Sequence, residues 1–436
     1  MTNWKMKHRF DLCDDISARP KSEIRTVQNR LLAEQIRYCR AASPFYRKRL
    51  APFPDREYDY DSLQELPTTS KRDLAEFNDD FFAVPPSEVA DICFTSGTTG
   101  RPCRIVYTRG DLDRLAYNDA CGYRAAGMAP GEKVLLTCTI DRCFIAGLAY
   151  YQGVVKLGGT AIRNGLNTLS SHAEVIASLH PESIVGVPSF LAKLGRYLRD
   201  NGIDGSGIRH LICIGEPIRT RKMELTPLGA RLEEFWPGAV YSTYASSEIV
   251  TSFTECSARH GGHPPADLAV VEILDEAGNR VPDGEVGEVT VTPLQVSGMP
   301  LVRFRTGDVS FILPEPCPCG RGTIRLGPIL GRKAQMLKVR GTTLFPNAFF
   351  NVLDAVPGVA EYYMEVGGTA LSDEITIFVA CRDGATPETL NIAEKLYSRT
   401  RIRVPVIGVD AEAARQKVFG VSRKPVRFFD LRKVEL

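Results

Sequence analysis

The densest cluster of chemistry-bearing residues is Thr95-Ser96-Gly97-Thr98-Thr99-Gly100-Arg101-Pro102. Its two glycines let backbone N–H groups approach an anion closely, and the hydroxyls and the Arg101 guanidinium add donors around it. Such a set suits the oxygens of a polyphosphate. It is not a Walker-type loop, because the G-x-x-x-x-G-K-[ST] spacing is absent. Other segments say less alone. In Arg303-Phe304-Arg305-Thr306-Gly307-Asp308 an acid stands beside a glycine turn; its carboxylate either accepts two hydrogen bonds from a ribose diol or is merely solvated. Tyr244-Ala245-Ser246-Ser247-Glu248 offers a carboxylate to a metal ion or, equally, starts a capped helix. Lys424 lies between Arg423 and Arg427, which by itself reads as a solvated basic face. Cys317-Pro318-Cys319 downstream of Cys256, His260 and His263 gives two half-sites for tetrahedral zinc, or a reduced, empty cysteine pair.

Elements that position these residues are legible as patterns. Ile24, Val27, Leu31, Leu32, Ile36 and Cys39 fall at helical spacing after Pro20. Residues 50–90 read as irregular. From 91 to 309, short β-rich runs (134–140, 183–187, 210–214) alternate with helical stretches, which argues for α/β layering. Runs at 269–274 and 287–292, separated by turn chemistry, read as an antiparallel pair. The Pro- and Gly-rich stretch 314–322 marks a composition shift, after which the pattern restarts. It then gives a helix from Asn347, a strand at 374–381, a helix opened by Thr386 with Pro387 in its first turn, and a strand at 404–409. The fold class is therefore α/β: a large domain over 1–332 and a small α+β domain over 333–436.

Composition bounds the function. The 54 Lys+Arg nearly balance 52 Asp+Glu over 436 residues, a net charge of +2 that argues against a nucleic-acid partner. The longest apolar stretch, 143–155, is shorter than the roughly 20 residues a bilayer requires, so no membrane partner is expected. The first residues lack the apolar core of a secretory signal, and cysteines scattered singly through apolar runs suit a reducing compartment; the expected location is the cytoplasm.

Taken in order, these segments resemble the adenylate-forming superfamily of acyl-CoA synthetases, adenylation domains and luciferases, and within it the phenylacetate–coenzyme A ligase branch. The likeness runs from Ser43-Pro44-Phe45-Tyr46 to Asp430. It rests on the TSGTTGRP loop, YASSE, RFRTGD, CPCGR, Gly331-Arg332 through Arg340-Gly341 with Phe345-Pro346, and Lys424 with Arg427 and Asp430. The resemblance implies a large AMP-binding domain and a small mobile lid. It also implies a two-step reaction, in which a carboxylic acid and ATP give an acyl-adenylate and pyrophosphate, and coenzyme A then displaces AMP. Thr95, Ser96, Gly97, Thr98, Thr99, Gly100 and Arg101 would hold the β- and γ-phosphates, and Glu216-Pro217 would lie beside the adenine. Tyr244 would flank the base, with Ala245, Ser246 and Ser247 lining the nucleotide. Glu248 would hold Mg²⁺ and Asp308 the ribose hydroxyls. Arg332 would lie near the ribose and α-phosphate, and Gly341 would line the pantetheine tunnel. Lys424 would bridge the carboxylate and the α-phosphate, completing the site when the lid closes. Relatives also imply a structural Zn²⁺ on Cys256, His263, Cys317 and Cys319, and a homodimer.

Departures from the branch bear on detail. Ala334 stands where relatives carry a hinge Asp, Arg101 replaces a loop Lys, and Ala245 replaces a Gly. Arg and Lys are not interchangeable in such a loop. The acyl site is expected at Asp141, Arg142, Phe144 and Ala245. Either Arg142 pairs a second carboxylate or ring oxygen of a substrate more polar than phenylacetate, or Asp141 and Arg142 are exposed or pair with each other. The leading activity is an ATP-dependent aryl- or arylacetyl-CoA ligase. The alternatives are an adenylyltransferase acting on a deazaflavin hydroxyl and a stand-alone protein loading a carrier-protein thiol.

Overall fold

Val134, Leu135, Leu136, Ile184, Val185, Leu211 and Cys213 are all fully buried, with none of the polar alternation of a half-exposed strand. Such runs belong in a sheet covered on both faces. They form its centre here, in a computed structural model that describes residues 10–95, 103–339, 342–369, 372–420 and 425–432. Two compact units divide the chain: Met1–Glu224 with Gly229–Ile329, and Leu225–Leu228 with Leu330–Leu436.

The large unit opens with three helices, α1 (Lys21–Ala42), α2 (Pro44–Arg49) and α3 (Lys71–Glu76), and an antiparallel pair, β1 (Val89–Phe94) and β2 (Arg104–Thr108). Next come α4 (Arg109–Ala126), β3 (Lys133–Leu136), α5 (Ile145–Leu157), β4 (Thr160–Arg163), α6 (Leu169–Leu179), β5 (Ser183–Gly186), α7 (Pro188–Asp200), β6 (His210–Ile214) and α8 (Pro227–Phe235). Then follow β7 (Val240–Ser246), β8 (Thr251–Glu255) and β9 (Gly262–His263). The sheet order is β4-β3-β5-β6-β7-β8-β9, parallel from β4 to β7 and antiparallel beyond. A second layer joins β10 (Ala269–Leu274), β11 (Gly287–Pro293) and β12 (Phe304–Ser310) by antiparallel pairing. The helix α4 starts at a capping box in which Thr108 and Asp111 exchange side-chain-to-backbone bonds, and it stops at Gly127, whose φ of 101° a residue with Cβ resists. The apolar run 143–155 forms most of α5, and among the described residues no helix is long and apolar enough to cross a membrane.

The small unit contains β13 (Gly331–Arg332), β14 (Leu337–Val339), β15 (Thr342–Leu344), α9 (Asn347–Asp354), β16 (Val359–Thr369), β17 (Ser372–Cys381), α10 (Ile392–Thr400), β18 (Val406–Gly408), α11 (Ala411–Phe419) and β19 (Phe428–Asp430). Its sheet runs β18-β17-β16-β19 around a core that includes Phe349, Met364, Ile377 and Leu396. One expected element is displaced. No helix opens at Thr386; Thr386 and Thr389 instead exchange hydrogen bonds within a turn, Asn391 takes a left-handed φ of 52°, and α10 starts at Ile392. A left-handed residue cannot continue a right-handed helix.

Candidate active site

In open α/β sheets, ligands gather beyond the C-terminal ends of the parallel strands. Here β7 ends in a four-residue turn, 247–250, that hands over directly to β8, with Ser246 opposite Thr251. Glu248 sits in this turn, largely buried at 9% exposure. The segment from Tyr244 is therefore a hairpin and not a helix start: Tyr244, Ala245 and Ser246 are strand residues. The Ser246 hydroxyl is buried without a hydrogen-bond partner among the described residues.

Two side chains that the sequence did not single out fix that turn. The Tyr107 hydroxyl donates to the Ser247 carbonyl at 3.0 Å. The Arg114 guanidinium, fully buried, donates to the Val250 carbonyl and, at 3.1 Å, to the Thr251 hydroxyl. Arg114 also holds the carbonyls of Leu268 at 2.6 Å and Leu294 at 2.7 Å, while burial pulls its pKa down to about 10. Val250 itself adopts a left-handed φ of 50°, so the turn needs such anchors.

Asp308 lies within β12, where Gly307 takes a φ of 76° next to a shift in register against β11. It is a buried strand residue and not part of a solvated turn. The Tyr244 phenol donates to its carboxylate at 2.8 Å, and burial holds that phenol well above its ordinary pKa, so it remains a donor. The two arginines before Asp308 have internal partners: Arg303 grips Glu272 at 3.0 and 3.1 Å, and Arg305 grips Glu288 at 2.5 and 2.9 Å. Glu216 caps α7, its carboxylate accepting from the Ser189 N–H at 2.8 Å and the Ser189 hydroxyl at 2.9 Å, and Pro217 follows it.

The polar loop hangs from a closed neck, with the Thr95 N–H donating to the Cys103 carbonyl at 3.0 Å. Residues 96–101 of the loop lie outside the described residues, as do Gly341 and Lys424. After β3, Arg142 and Cys143 take left-handed φ of 63° and 51°. The Asp141 and Arg142 side chains are exposed, 4.0 Å apart, each a counter-charge to the other, and Phe144 immediately precedes α5. In the small unit, Arg332 is exposed on β13. The Arg427 carbonyl accepts from the Met364 N–H at 2.7 Å, and its guanidinium meets Glu361 at 2.8 Å, which sets the strand just after Lys424 in register with β16.

Cys256, His263, Cys317 and Cys319 meet in the large unit, their ligand atoms all within 4.8 Å of one another. Cys256 Sγ and Cys317 Sγ are 3.5 Å apart, too far for a disulfide and near the edge of about 3.8 Å that a tetrahedron with Zn–S bonds of about 2.3 Å requires. Cys319 Sγ lies 3.6 Å from His263 Nε2. His263 Nδ1 pairs with the Thr323 hydroxyl at 2.7 Å, which turns Nε2 toward the thiols, as an outer partner of a metal-ligating histidine does. Burial lowers the His263 pKa to about 4, keeping the ring neutral and able to ligate. His260 is not in the group; its carbonyl accepts from Arg325.

A nucleotide-binding α/β unit, followed by a small α+β unit, is the architecture of enzymes that activate substrates with ATP as adenylates. The model of the AMP-binding enzyme family matches residues 37–298, and the chain belongs to that family. Among curated proteins, it is 32% identical over 364 residues to phenylacetate–coenzyme A ligase of Thermus thermophilus, covering 81% of this chain and 80% of that protein. It is 26% identical over 436 residues to the enzyme of the same name from Escherichia coli K12, covering 97% and 98%. A crystal structure of 2-hydroxyisobutyryl-CoA ligase in the postadenylation state shares the fold with a TM-score of 0.82 at 21% identity, covering 95% of this chain and 91% of that one.

Proposed function

We propose that the protein is an ATP-dependent acid–CoA ligase of the phenylacetate–coenzyme A ligase type. It joins an aromatic or arylacetic acid to coenzyme A through an acyl-adenylate, releasing pyrophosphate and AMP. The observation that carries this reading is the identity of 32% across four-fifths of a phenylacetate–coenzyme A ligase, joined to the partly buried Tyr244–Asp308 pair beside the Glu248 turn.

The chemistry follows from where charge develops. Nucleotidyl transfer asks the protein for in-line positioning and for cations near the phosphates, with little covalent help. The loop residues Thr95 to Arg101 cradle the β- and γ-phosphates. Asp308, its geometry set by the Tyr244 hydroxyl, accepts the ribose hydroxyls. Glu248 is the residue that would hold Mg²⁺, an ion that neutralises phosphate oxygens when bound. Lys424 steadies the acid's carboxylate as it attacks the α-phosphorus. Arg332 serves the α-phosphate side, and Gly341 lines the path of the thiol. Phe144 and Ala245 bound the acyl group; the Asp141–Arg142 pairing favours an acid with no second charge to satisfy. Cys256, His263, Cys317 and Cys319 hold a structural zinc, a soft, neutral-to-anionic donor set that fits that ion.

The test is a hydroxamate and pyrophosphate-release screen over benzoic, phenylacetic, heteroaromatic and amino-substituted acids, with and without coenzyme A. Thioester formation with an arylacetic acid is the expected result. A stable AMP adduct of a phenol, with no acid consumed, would refute the reading.

A further inference from the structure

The β1–β2 pair and the strands flanking the Glu248 turn belong to different sheets, and the structure links them through one phenol. Tyr107 is on β2, the strand that leaves the loop, and is 1% exposed. Its single hydroxyl hydrogen goes to the Ser247 carbonyl, the residue before Glu248, at 3.0 Å. Its oxygen lies 3.4 Å from Cys93 Sγ on β1, the strand that enters the loop. Because the phenol has one hydrogen and that hydrogen is committed to Ser247, the thiol must be the donor in the second contact. Tyr107 thus ties β2 to the turn directly, while Cys93 on β1 donates to the phenol oxygen and is not needed for that tie. Ile105, Val106 and Tyr107 are all buried, so the β2 end of this strut is embedded in the core. The far end of the turn is held separately by Arg114 at Val250.

We propose that Tyr107 is a positioning residue for the adenylation step: its hydroxyl holds the turn that carries Glu248 against β2, and thereby sets the affinity for MgATP. This rests on the assignment of the loop and Glu248 given above. It acts on Glu248 through the Ser247 carbonyl. The partly buried Ser247 carbonyl, left without its donor, shifts to find another, and the four-residue turn shifts with it. The second half-reaction, thiol attack on an adenylate already formed, no longer needs the β- and γ-phosphates or their cation. The strut therefore separates the two half-reactions, which a general packing role would not do.

The experiment uses the full chain with Tyr107→Phe, which keeps the ring and deletes the donor, and with 4-aminophenylalanine at 107, which restores a weaker N–H donor. Acid-dependent ATP–pyrophosphate exchange is measured against Mg²⁺ and ATP concentration, alongside CoA thioester formation from a pre-formed phenylacetyl-adenylate. The expected result is a Mg²⁺ half-saturation and ATP KM raised about five- to tenfold in Tyr107→Phe and two- to threefold with the amino analogue, with turnover of the pre-formed adenylate unchanged in both. Cys93→Ala, which leaves the bond to Ser247 in place, is expected to stay within twofold of the parent. Unchanged Mg²⁺ and ATP dependence, equal shifts in the two Tyr107 variants, or equal loss of both half-reactions would overturn the proposal. If Tyr107→Phe does not fold, the amino analogue alone decides, by the same two- to threefold shift or its absence. Failure of the parent to exchange pyrophosphate with any acid would instead strike the functional assignment.

Discussion

At the scale of single residues, charge placement governs the outcome. Lys424→Ala is expected to slow adenylation by about 10²–10³ while a pre-formed acyl-adenylate still reacts with coenzyme A. Single-turnover assays of each half-reaction check this, and equal loss of both would contradict the role. Asp119 offers a test of burial. It is 4% exposed, accepts hydrogen bonds from Asn118 at 3.1 Å and Ser252 at 3.0 Å, and is pushed up to about 7 by desolvation. An unfolded carboxyl loses its proton near 3.9. Between pH of about 4 and 7 the unfolded chain releases a proton that the folded chain keeps, so this group lowers stability as pH rises through that window and adds nothing further above it. Asp119→Asn should therefore raise the melting temperature relative to the parent more at pH 7.5 than at pH 4.5; equal differences at the two values would refute the assignment. The roles that are hardest to see in sequence also belong at this scale. Asp308 stands beside a glycine and reads as a turn, yet the shifted register of β12 buries it. Its partner Tyr244 is distant in sequence. Tyr107 hides in an apolar run, Ile-Val-Tyr, that signals only a buried strand. No spacing rule finds a side chain whose importance lies in which backbone carbonyl it meets.

Elements were more legible than contacts. Strand β6 and strand β10 have the bounds that their apolar runs suggest, because a strand buried on both faces announces both ends. The run 134–140 overreaches: β3 stops at Leu136. The metal cluster shows the same division. The cysteines and histidines are visible in sequence and spacing alone leaves His260 and His263 open; the resemblance points to His263, and the structure adds Thr323, which aims its ring at the thiols. If zinc is bound there, elemental analysis should give one ion per chain, and Cys317→Ser or chelation should lower the melting temperature by about 5 °C or more. Metal-free protein of unchanged stability would end that idea. At the segment that carries Ala334, Arg432 supplies contacts. It donates to the carbonyls of Ala334 and Met336, each at 3.0 Å, and is itself anchored by Asp430 at 2.5 Å and Asp373 at 3.3 Å. Arg432→Ala should raise amide exchange across residues 333–337 about tenfold and leave α10 unaffected, as a local opening would. Uniform exchange throughout the small unit would point to global unfolding.

For the whole molecule, family membership rests on similarity over most of the chain, whereas the substrate reading rests on the few acyl-site side chains proposed above. That asymmetry is physical. A doubly covered sheet tolerates many sequences, whereas an acyl pocket is set by the volume and charge of single residues. The balanced net charge of +2 likewise leaves recognition to the site and not to the molecule's overall field. The central claim is that a carboxylate attacks the α-phosphorus of ATP. It is tested most directly by supplying phenylacetate labelled with ¹⁸O in both carboxylate oxygens, with ATP and coenzyme A, and weighing the AMP. Transfer of one ¹⁸O atom into each AMP formed is the expected result; AMP without the label, alongside thioester product, would contradict it.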